Sequence, residues 1–221
     1  MNQRRAQETH LLKHNLDGNK SGYRQHKLRM HCLLQGTNHD AVSGWLLLAS
    51  YFYFIKQYDK CVHIIKNCLL KCTVDKIRVP SFPEIISESI FQNHTNCNKK
   101  NRFLTACKKC TIWATILQKR SCFLPTELKP WIDEYPTIIF PTSVFLHFLH
   151  FLCLHQRGDL SGRTQAYCEL KAVVLANHKE FPNCMQTNNA EILSQKAKIL
   201  FNGKQELPTP FSFDINCCLT S

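Results

Sequence analysis

The amino-acid sequence predicts an all-α protein, built from antiparallel helix pairs in a tetratricopeptide-like stack with a long irregular connector. Three observations support this prediction. The chain of 221 residues contains only 7 glycines and 9 prolines, and its apolar residues recur at spacings of three and four. A helix–turn–helix pattern surrounds Trp45. A second apolar hairpin begins near Val144.

The pattern around Trp45 fits the tetratricopeptide repeat, a helical hairpin of about 34 residues. Small residues in such a hairpin let the two helices approach closely, and large residues fill the groove between them. We therefore predict that Trp45 lies at the helix interface and that Asp40 caps the first helix. The matching positions are Trp45, Leu48, Ala49 and Phe52 in the first helix and Tyr58, Cys61, Ile65, Cys68 and Leu69 in the second.

The other elements follow in chain order. Residues 1–22 form a polar N-terminal arm, residues 23–202 the tetratricopeptide-like helical domain, and residues 203–221 an irregular C-terminal tail. Prolines predict that residues 123–141 form the connector, with one helical turn at 126–129. Outside the first hairpin, the sequence predicts helices over 23–34, 84–90 and 99–119, and Trp113 is predicted to face inward. A second hairpin is predicted from a buried helix 144–156, a turn at 157–159 and a helix 160–176. The predicted helix 188–201 would be the first helix of a third pair.

Composition restricts the classes of protein that the chain can represent. The 13 cysteines lie mostly in apolar helical patterns, as free thiols do in a reducing compartment. Residues 1–14 are polar and basic, unlike a signal peptide, and the longest apolar runs are short for a membrane span. We therefore expect a cytoplasmic protein without a membrane span.

Four residues have the types and spacing of a weak zinc site: His94, Cys97, Cys107 and Cys110. However, Cys107 and Cys110 also lie on the apolar stripe of the predicted helix 99–119, where they fill core volume. We favour that interpretation and predict no metal and no other cofactor. No acid–base or nucleophile set stands out, so we expect no enzymatic activity.

Basic residues are grouped in two segments of a chain whose net charge is +12. One group is predicted to form a basic face, which could contact phosphates or simply be a solvated helix surface. We favour the solvated surface. For His147 and His150, in the most apolar helix, we expect buried neutral rings that make one backbone hydrogen bond. The basic face consists of Lys99, Lys100, Arg102, Lys108 and Lys109.

Four blocks of the sequence are similar to a known family. The blocks are DAVSGWLLLASYFYFIKQY (40–58), KCTVD (71–75), LPTEL (124–128) and PTSVFLHFLHFLCLHQRGD (141–159). They resemble the helical C-terminal region of molluscan male-abnormal-type, cyclic GMP-AMP synthase-like nucleotidyltransferase proteins. The resemblance covers roughly residues 23–201 and implies a tetratricopeptide-like appendage of an innate-immune sensor family. It carries over no catalytic residue, because the Gly-Ser loop and paired strand carboxylates of the catalytic domain are missing.

The predicted function is that of a non-enzymatic helical-repeat module for protein–protein interaction. The first helices of stacked pairs present a surface that binds a peptide or helix of a partner. We expect the partner-binding positions to be exposed residues of the first helix, namely Ser43, Leu47, Ser50 and Lys56. The alternative is a basic accessory module that binds nucleic acid weakly.

Overall fold

The computed structural model describes residues 19–73, 76–79, 103–118, 121, 123–131, 137–181 and 185–203. Most of these residues are helical and the helices pack in pairs, which confirms the predicted all-α class. Two small two-stranded sheets accompany the helices. Within the described ranges, no helix is both long enough and apolar enough to cross a lipid bilayer.

Among the described elements, three long helices come first and three come last, and the short strands lie between them together with one short α-helix. A 3-10 helix, Thr126–Trp131, lies between the third and fourth strands. The first two strands in chain order pair in parallel, and the last two pair antiparallel. The bounds are α1 Asn19–Gly36, α2 Ser43–Phe54, α3 Tyr58–Lys71, β1 Ile77–Val79, α4 Phe103–Cys110, β2 Thr111–Trp113, β3 Thr115–Gln118, β4 Thr137–Phe140, α5 Thr142–Gln156, α6 Leu160–Glu180 and α7 Met185–Asn202.

The long helices contact one another in the order expected for a stack of hairpins. α2 packs against α3 and α5 packs against α6, as the sequence predicts. Between the hairpins, α5 contacts both α2 and α3, and α7 contacts both α5 and α6. Each first helix therefore touches its own partner and the neighbouring pair, which buries a continuous core along the stack. At the other end of the stack, α1 packs against α2.

The first hairpin has the predicted register. Its small positions, Ala49, Cys61 and Cys68, are at most 1% exposed. Trp45 lies at the interface as predicted, but its ring is only half-buried, and Lys71 Nζ lies 5.0 Å from the ring centroid. The other large positions are buried (Leu48, Phe52 and Ile65) or half-buried against the core (Tyr58 and Leu69).

The two first helices are buried on nearly all sides. In α5 this agrees with the sequence, because Phe145, Phe148 and Phe151 are fully buried. In α2, ten of the twelve residues are buried. A helix of a two-layer stack normally keeps one face in solvent. A further layer must therefore cover α2 and α5.

The predicted helix 99–119 is wrong in its second half. The helix ends at Cys110, and the chain continues as β2 and β3. Residues 111–116 are rich in β-branched and aromatic side chains, which favour strands, and pairing with β1 and β4 outweighs their helical spacing. The prediction that Trp113 faces inward is also wrong, since its side chain is 38% exposed on β2.

The remaining boundaries differ less from the predictions. α1 begins at Asn19 rather than at residue 23, and the predicted turn at 126–129 is the 3-10 helix. Residues 157–159 form the predicted turn, with Gly158 at φ 70° and Asp159 accepting a hydrogen bond from Gly162 N. The N-terminal arm up to residue 18, the predicted helix 84–90 and the tail from residue 204 lie outside the described residues.

Candidate functional site

One face of the helical stack is covered by the chain itself. We call the described residues between Thr111 and Phe140 (β2, β3, the 3-10 helix and β4) the covering segment. We call the face of α2, α5 and α7 that it contacts the inner face. β3 packs against α2, and β4 packs against α7. First helices of stacked pairs are the ones that present a binding surface in helical-repeat proteins.

The covering segment is held at the start of α2 by Asp40. This buried carboxylate accepts hydrogen bonds from Ser43 N at 3.1 Å and Gly44 N at 3.3 Å, which confirms the predicted cap. It also accepts one from Trp113 N at 2.9 Å. Ala41 N donates to Thr111 O at 3.0 Å. Asp40 therefore stabilises the helix terminus and fixes β2 to it.

Side chains of α5 and α7 bind the backbone of the covering segment. Thr142, in the first turn of α5, donates through its hydroxyl to Trp113 O, and its Oγ1 lies 2.7 Å from Thr115 Oγ1. In α7, Asn189 Nδ2 donates to Ile139 O at 2.7 Å. Both of these hydrogen bonds are accepted by backbone carbonyl groups and not by side chains. They would accept an extended segment of many sequences.

Glu127 joins the covering segment to the ends of α2 and α5. Tyr53 Oη donates to Glu127 Oε1 at 2.5 Å, and Gln156 Nε2 donates to the same oxygen at 3.1 Å. Burial, and next the negative charge of Glu127, raise the pKa of the Tyr53 phenol, and the same two causes raise the pKa of Tyr58. Tyr53 is therefore a neutral hydrogen-bond donor to a carboxylate, which is a strong pairing.

Apolar side chains of the covering segment complete the core. Phe123 and Leu128 are at most 1% exposed. The Phe123 ring meets Tyr51 edge-on at 5.6 Å, and Phe140 stacks on Phe145 at 5.3 Å. In β3 the exposed Ile116 alternates with the buried Thr115 and Leu117, as in a strand with one face on a core. The inner face thus binds strands and a 3-10 helix of the same chain through both backbone and side chains.

The prediction that four partner-binding residues are exposed is wrong for three of them. Ser43, Leu47 and Ser50 are at most 3% exposed, because α2 is covered on the faces that a two-layer stack would leave open. Lys56 is exposed, in the turn after α2, with φ 60°. Sequence reasoning missed the covering segment because the prolines between residues 123 and 141 indicated only a connector.

Of the four weak candidates for a zinc site, only Cys110 has a described side chain. His94 and Cys97 lie outside the described residues, as does the side chain of Cys107, while Cys110 is a half-buried free thiol. Among the side chains that are described, no three or more His, Cys, Asp or Glu groups are arranged to hold a metal ion.

The predicted basic face is only partly described. Lys99, Lys100 and Arg102 lie outside the described residues. Lys108 and Lys109 are exposed in the last turn of α4, where positive charge is favourable because the helix dipole places negative partial charge at that end.

The two histidines of α5 are placed as predicted but bonded differently. Burial lowers the pKa of both His147 and His150, so the neutral rings predicted from the sequence are favoured. The predicted backbone bond is absent at Nδ1, because in each ring this buried atom has no hydrogen-bond partner. His147 Nδ1 lies 3.7 Å from Glu169 Oε2.

Buried cysteines fill the space between α3 and α5. Cys61 Sγ lies 3.2 Å from Cys153 Sγ, and both side chains are fully buried. Burial raises the pKa of Cys61, and it raises that of Cys68 to about 12. Thiols with such pKa values remain protonated at neutral pH and are poor nucleophiles. Their arrangement is that of core residues.

Together these features define an all-α protein of stacked helical hairpins whose inner face is covered by short strands and a 3-10 helix of the same chain. Comparison of the chain with models of known protein families, with curated proteins and with solved structures finds no match. The resemblance to the helical region of nucleotidyltransferase proteins therefore stays a prediction from the sequence.

Proposed function

We propose that this chain is a non-enzymatic helical-repeat module for protein–protein interaction, and that its inner face binds an extended segment of a partner. The observation that carries the proposal is the covering segment, a stretch of short strands and one 3-10 helix that already lies on α2, α5 and α7. A partner segment with similar spacing of apolar residues would compete with it for the same contacts.

Two properties of the inner face suit such a partner. Asp40 and Asn189 bind a backbone N–H and a backbone C=O of the covering segment, so they select an extended chain rather than a particular side chain. Tyr53 and Gln156 of the inner face instead recognise a side chain, because both donate hydrogen bonds to the carboxylate of Glu127. We expect a partner segment to carry an acidic residue at the matching position.

A peptide that copies the covering segment tests this proposal. The probe is a fluorescently labelled peptide of residues 121–131 carrying Cys122→Ser, titrated with the full chain by fluorescence anisotropy. In the wild-type chain the tethered segment competes at a high effective concentration, so binding should be weak. In the Glu127→Ala chain the tethered segment loses its anchor while the peptide keeps its own glutamate. The apparent affinity should therefore rise roughly tenfold or more.

Two controls make the outcome specific. Glu191→Ala removes a carboxylate that pairs with His178 and has no hydrogen bond or ion pair with the described part of the covering segment, so peptide affinity should stay at the wild-type value. A peptide with Glu127→Gln should bind the Glu127→Ala chain more weakly than the original peptide. Equal, weak binding by all chains would contradict the proposal. Binding of DNA or RNA that falls steeply with salt would instead favour the nucleic-acid-binding alternative.

A further inference from the structure

A second polar feature lies away from Glu127, in a small cleft where four parts of the fold meet. It is bounded by the last residues of β1 and β2, the first turn of α5, the end of α6 and the start of α7. Its volume is about 30 Å³. A cavity that holds one water molecule needs roughly 10–15 Å³, so this cleft has room for about two oxygen atoms. The polar residues that line it are Arg78, Thr142, Ser143, Asn177 and Gln186.

Hydrogen-bond donors converge on this cleft. Gln186 is only 6% exposed, and its buried Nε2 has no hydrogen-bond partner. The first turn of α5 has no side-chain cap, so its backbone N–H groups and the positive end of the helix dipole border the cleft. Arg78 adds a guanidinium group, of which Nη1 binds Glu180 at 2.5 Å. An unpaired buried donor is costly, so a ligand that supplies acceptor oxygens would be stabilised here.

The surrounding charges indicate which acceptor fits. Glu180 sits beside Arg78, and the Asp40 carboxylate binds Trp113 N at the edge of the cleft. The Cys72 thiol, which also lines the cleft, adds no charge at neutral pH, because burial raises its pKa to about 11. Two fixed carboxylates against one guanidinium disfavour a dianion such as phosphate more than they disfavour a monoanion.

We infer that this cleft is a binding site for a carboxylate group, held by Gln186, Arg78 and the N-terminal turn of α5. The two oxygens of a carboxylate match both the space and the donors. The cleft borders the covering segment at Ile112, Trp113 and Ala114 but does not involve Glu127 or the 3-10 helix, so the titration described below can fail while the peptide test succeeds, and the reverse.

Acetate and acetamide are the probes, because they have nearly the same shape and differ in charge. In two-dimensional ¹H–¹⁵N NMR titrations of the full chain, acetate should shift the side-chain NH₂ signals of Gln186 and the amide of Ser143 saturably. We expect a dissociation constant that is roughly millimolar. Acetamide should bind at least roughly tenfold more weakly, because hydrogen bonds to a charged acceptor are the stronger ones.

Variants of the lining residues complete the test. Gln186→Met keeps the length of the side chain but removes the amide, so the acetate affinity should fall roughly tenfold. Arg78→Gln should also weaken binding, and Glu180→Gln should strengthen it by removing a competing carboxylate. Arg157→Gln is the matched control, because Arg157 pairs with Asp59 elsewhere on the surface and should leave the affinity unchanged.

Three results would overturn the inference. The first is the absence of saturable shifts at Gln186 in the wild-type chain. The second is an unchanged acetate affinity in a Gln186→Met chain whose other signals show that it is folded. The third is tighter binding of inorganic phosphate than of acetate, which would reject a carboxylate site.

Discussion

Gly44 lies at a contact between two backbones. A Cβ atom added there would lie 2.2 Å from Gly36 O and 2.8 Å from Thr37 Cα, so the end of α1 leaves no room for a side chain. We predict that Gly44→Ala lowers the free energy of unfolding by about 3 kcal/mol, because backbone atoms cannot move aside as a flexible side chain can. Urea unfolding followed by circular dichroism measures this change.

Gly22→Ala is the matched control for Gly44→Ala. Gly22 also lies in a helix, but a Cβ atom there would meet nothing within 4 Å. We expect the alanine to raise the free energy of unfolding by about 0.5–1 kcal/mol, through the lower conformational entropy of the unfolded chain. Effects of the same sign in the two variants would show that the close approach of α1 and α2 is wrong.

Cys61 and Cys68 occupy positions of the first hairpin where only a small side chain fits. Both are buried at positions where the repeat pattern requires a small side chain. We predict that Cys61→Ala and Cys68→Ala each cost about 1 kcal/mol. Cys61→Leu should cost about 3 kcal/mol, because Cys153 Sγ lies only 3.2 Å away. These values are to be measured by urea unfolding in reducing buffer. Loss of folding in Cys61→Ala would indicate a covalent or metal-binding role instead.

At the scale of elements, helix α5 should make stability depend on pH. Burial lowers the pKa of His147 and His150 in the folded state, with Glu169 opposing the shift in both and Lys66 adding to it in His150. The unfolded chain therefore binds protons more readily than the folded chain does. This contribution to stability is present above the unfolded pKa of about 6.5 and is lost as the pH falls through the folded values.

The measurement is the free energy of unfolding in urea between pH 7.5 and pH 5. We expect it to fall with pH in the wild-type chain and to fall less in the double variant His147→Leu, His150→Leu. His63→Leu is the control, since His63 is exposed on α3 and should leave the slope unchanged. A wild-type slope that survives in the double variant would assign the pH dependence to other groups.

The elements differ in how well they can be read from sequence. The two hairpins were predictable, because each combines a long apolar periodicity with a short turn, and both signals are local. The strands β1 to β4 have only three or four residues each, too few for a pattern of their own. β1 also pairs with a strand far along the chain, Ile77 opposite Thr111, so its existence depends on contacts that no local window contains.

At the scale of the whole molecule, the features of the candidate site that depend on local sequence patterns could be predicted, and those that depend on distant contacts could not. The sequence indicates that first helices carry the binding surface, and the covering segment does lie on them. However, Ser50 is fully buried because of what covers α2, not because of its own neighbours along the chain. The anchor Glu127 lies 74 residues from Tyr53, and sequence spacing cannot bring such residues together. The local signals near it were the helical turn predicted at 126–129 and the resemblance of the block 124–128 to a helical region.

The proposed exchange of the covering segment for a partner requires that this segment can open while the helices stay folded. Tyr53→Phe removes the strongest contact of Glu127 and leaves the ring in place. We predict that amide hydrogen exchange in residues 123–131 becomes roughly tenfold faster, because local opening there costs less free energy. Amides in α6, which make no contact with Glu127, should exchange at the wild-type rate.

Tyr58→Phe is the control, because its ring lies 5.5 Å from that of Tyr53 but its hydroxyl makes no hydrogen bond to Glu127 in the structure. It should leave exchange in residues 123–131 nearly unchanged. Faster exchange throughout all helices in Tyr53→Phe would show that the covering segment unfolds only with the core. In that case the inner face would be permanently closed, and a partner would have to bind the outer surfaces of α3 and α6. A change confined to residues 123–131 would instead identify an inner face that can exchange one extended segment for another.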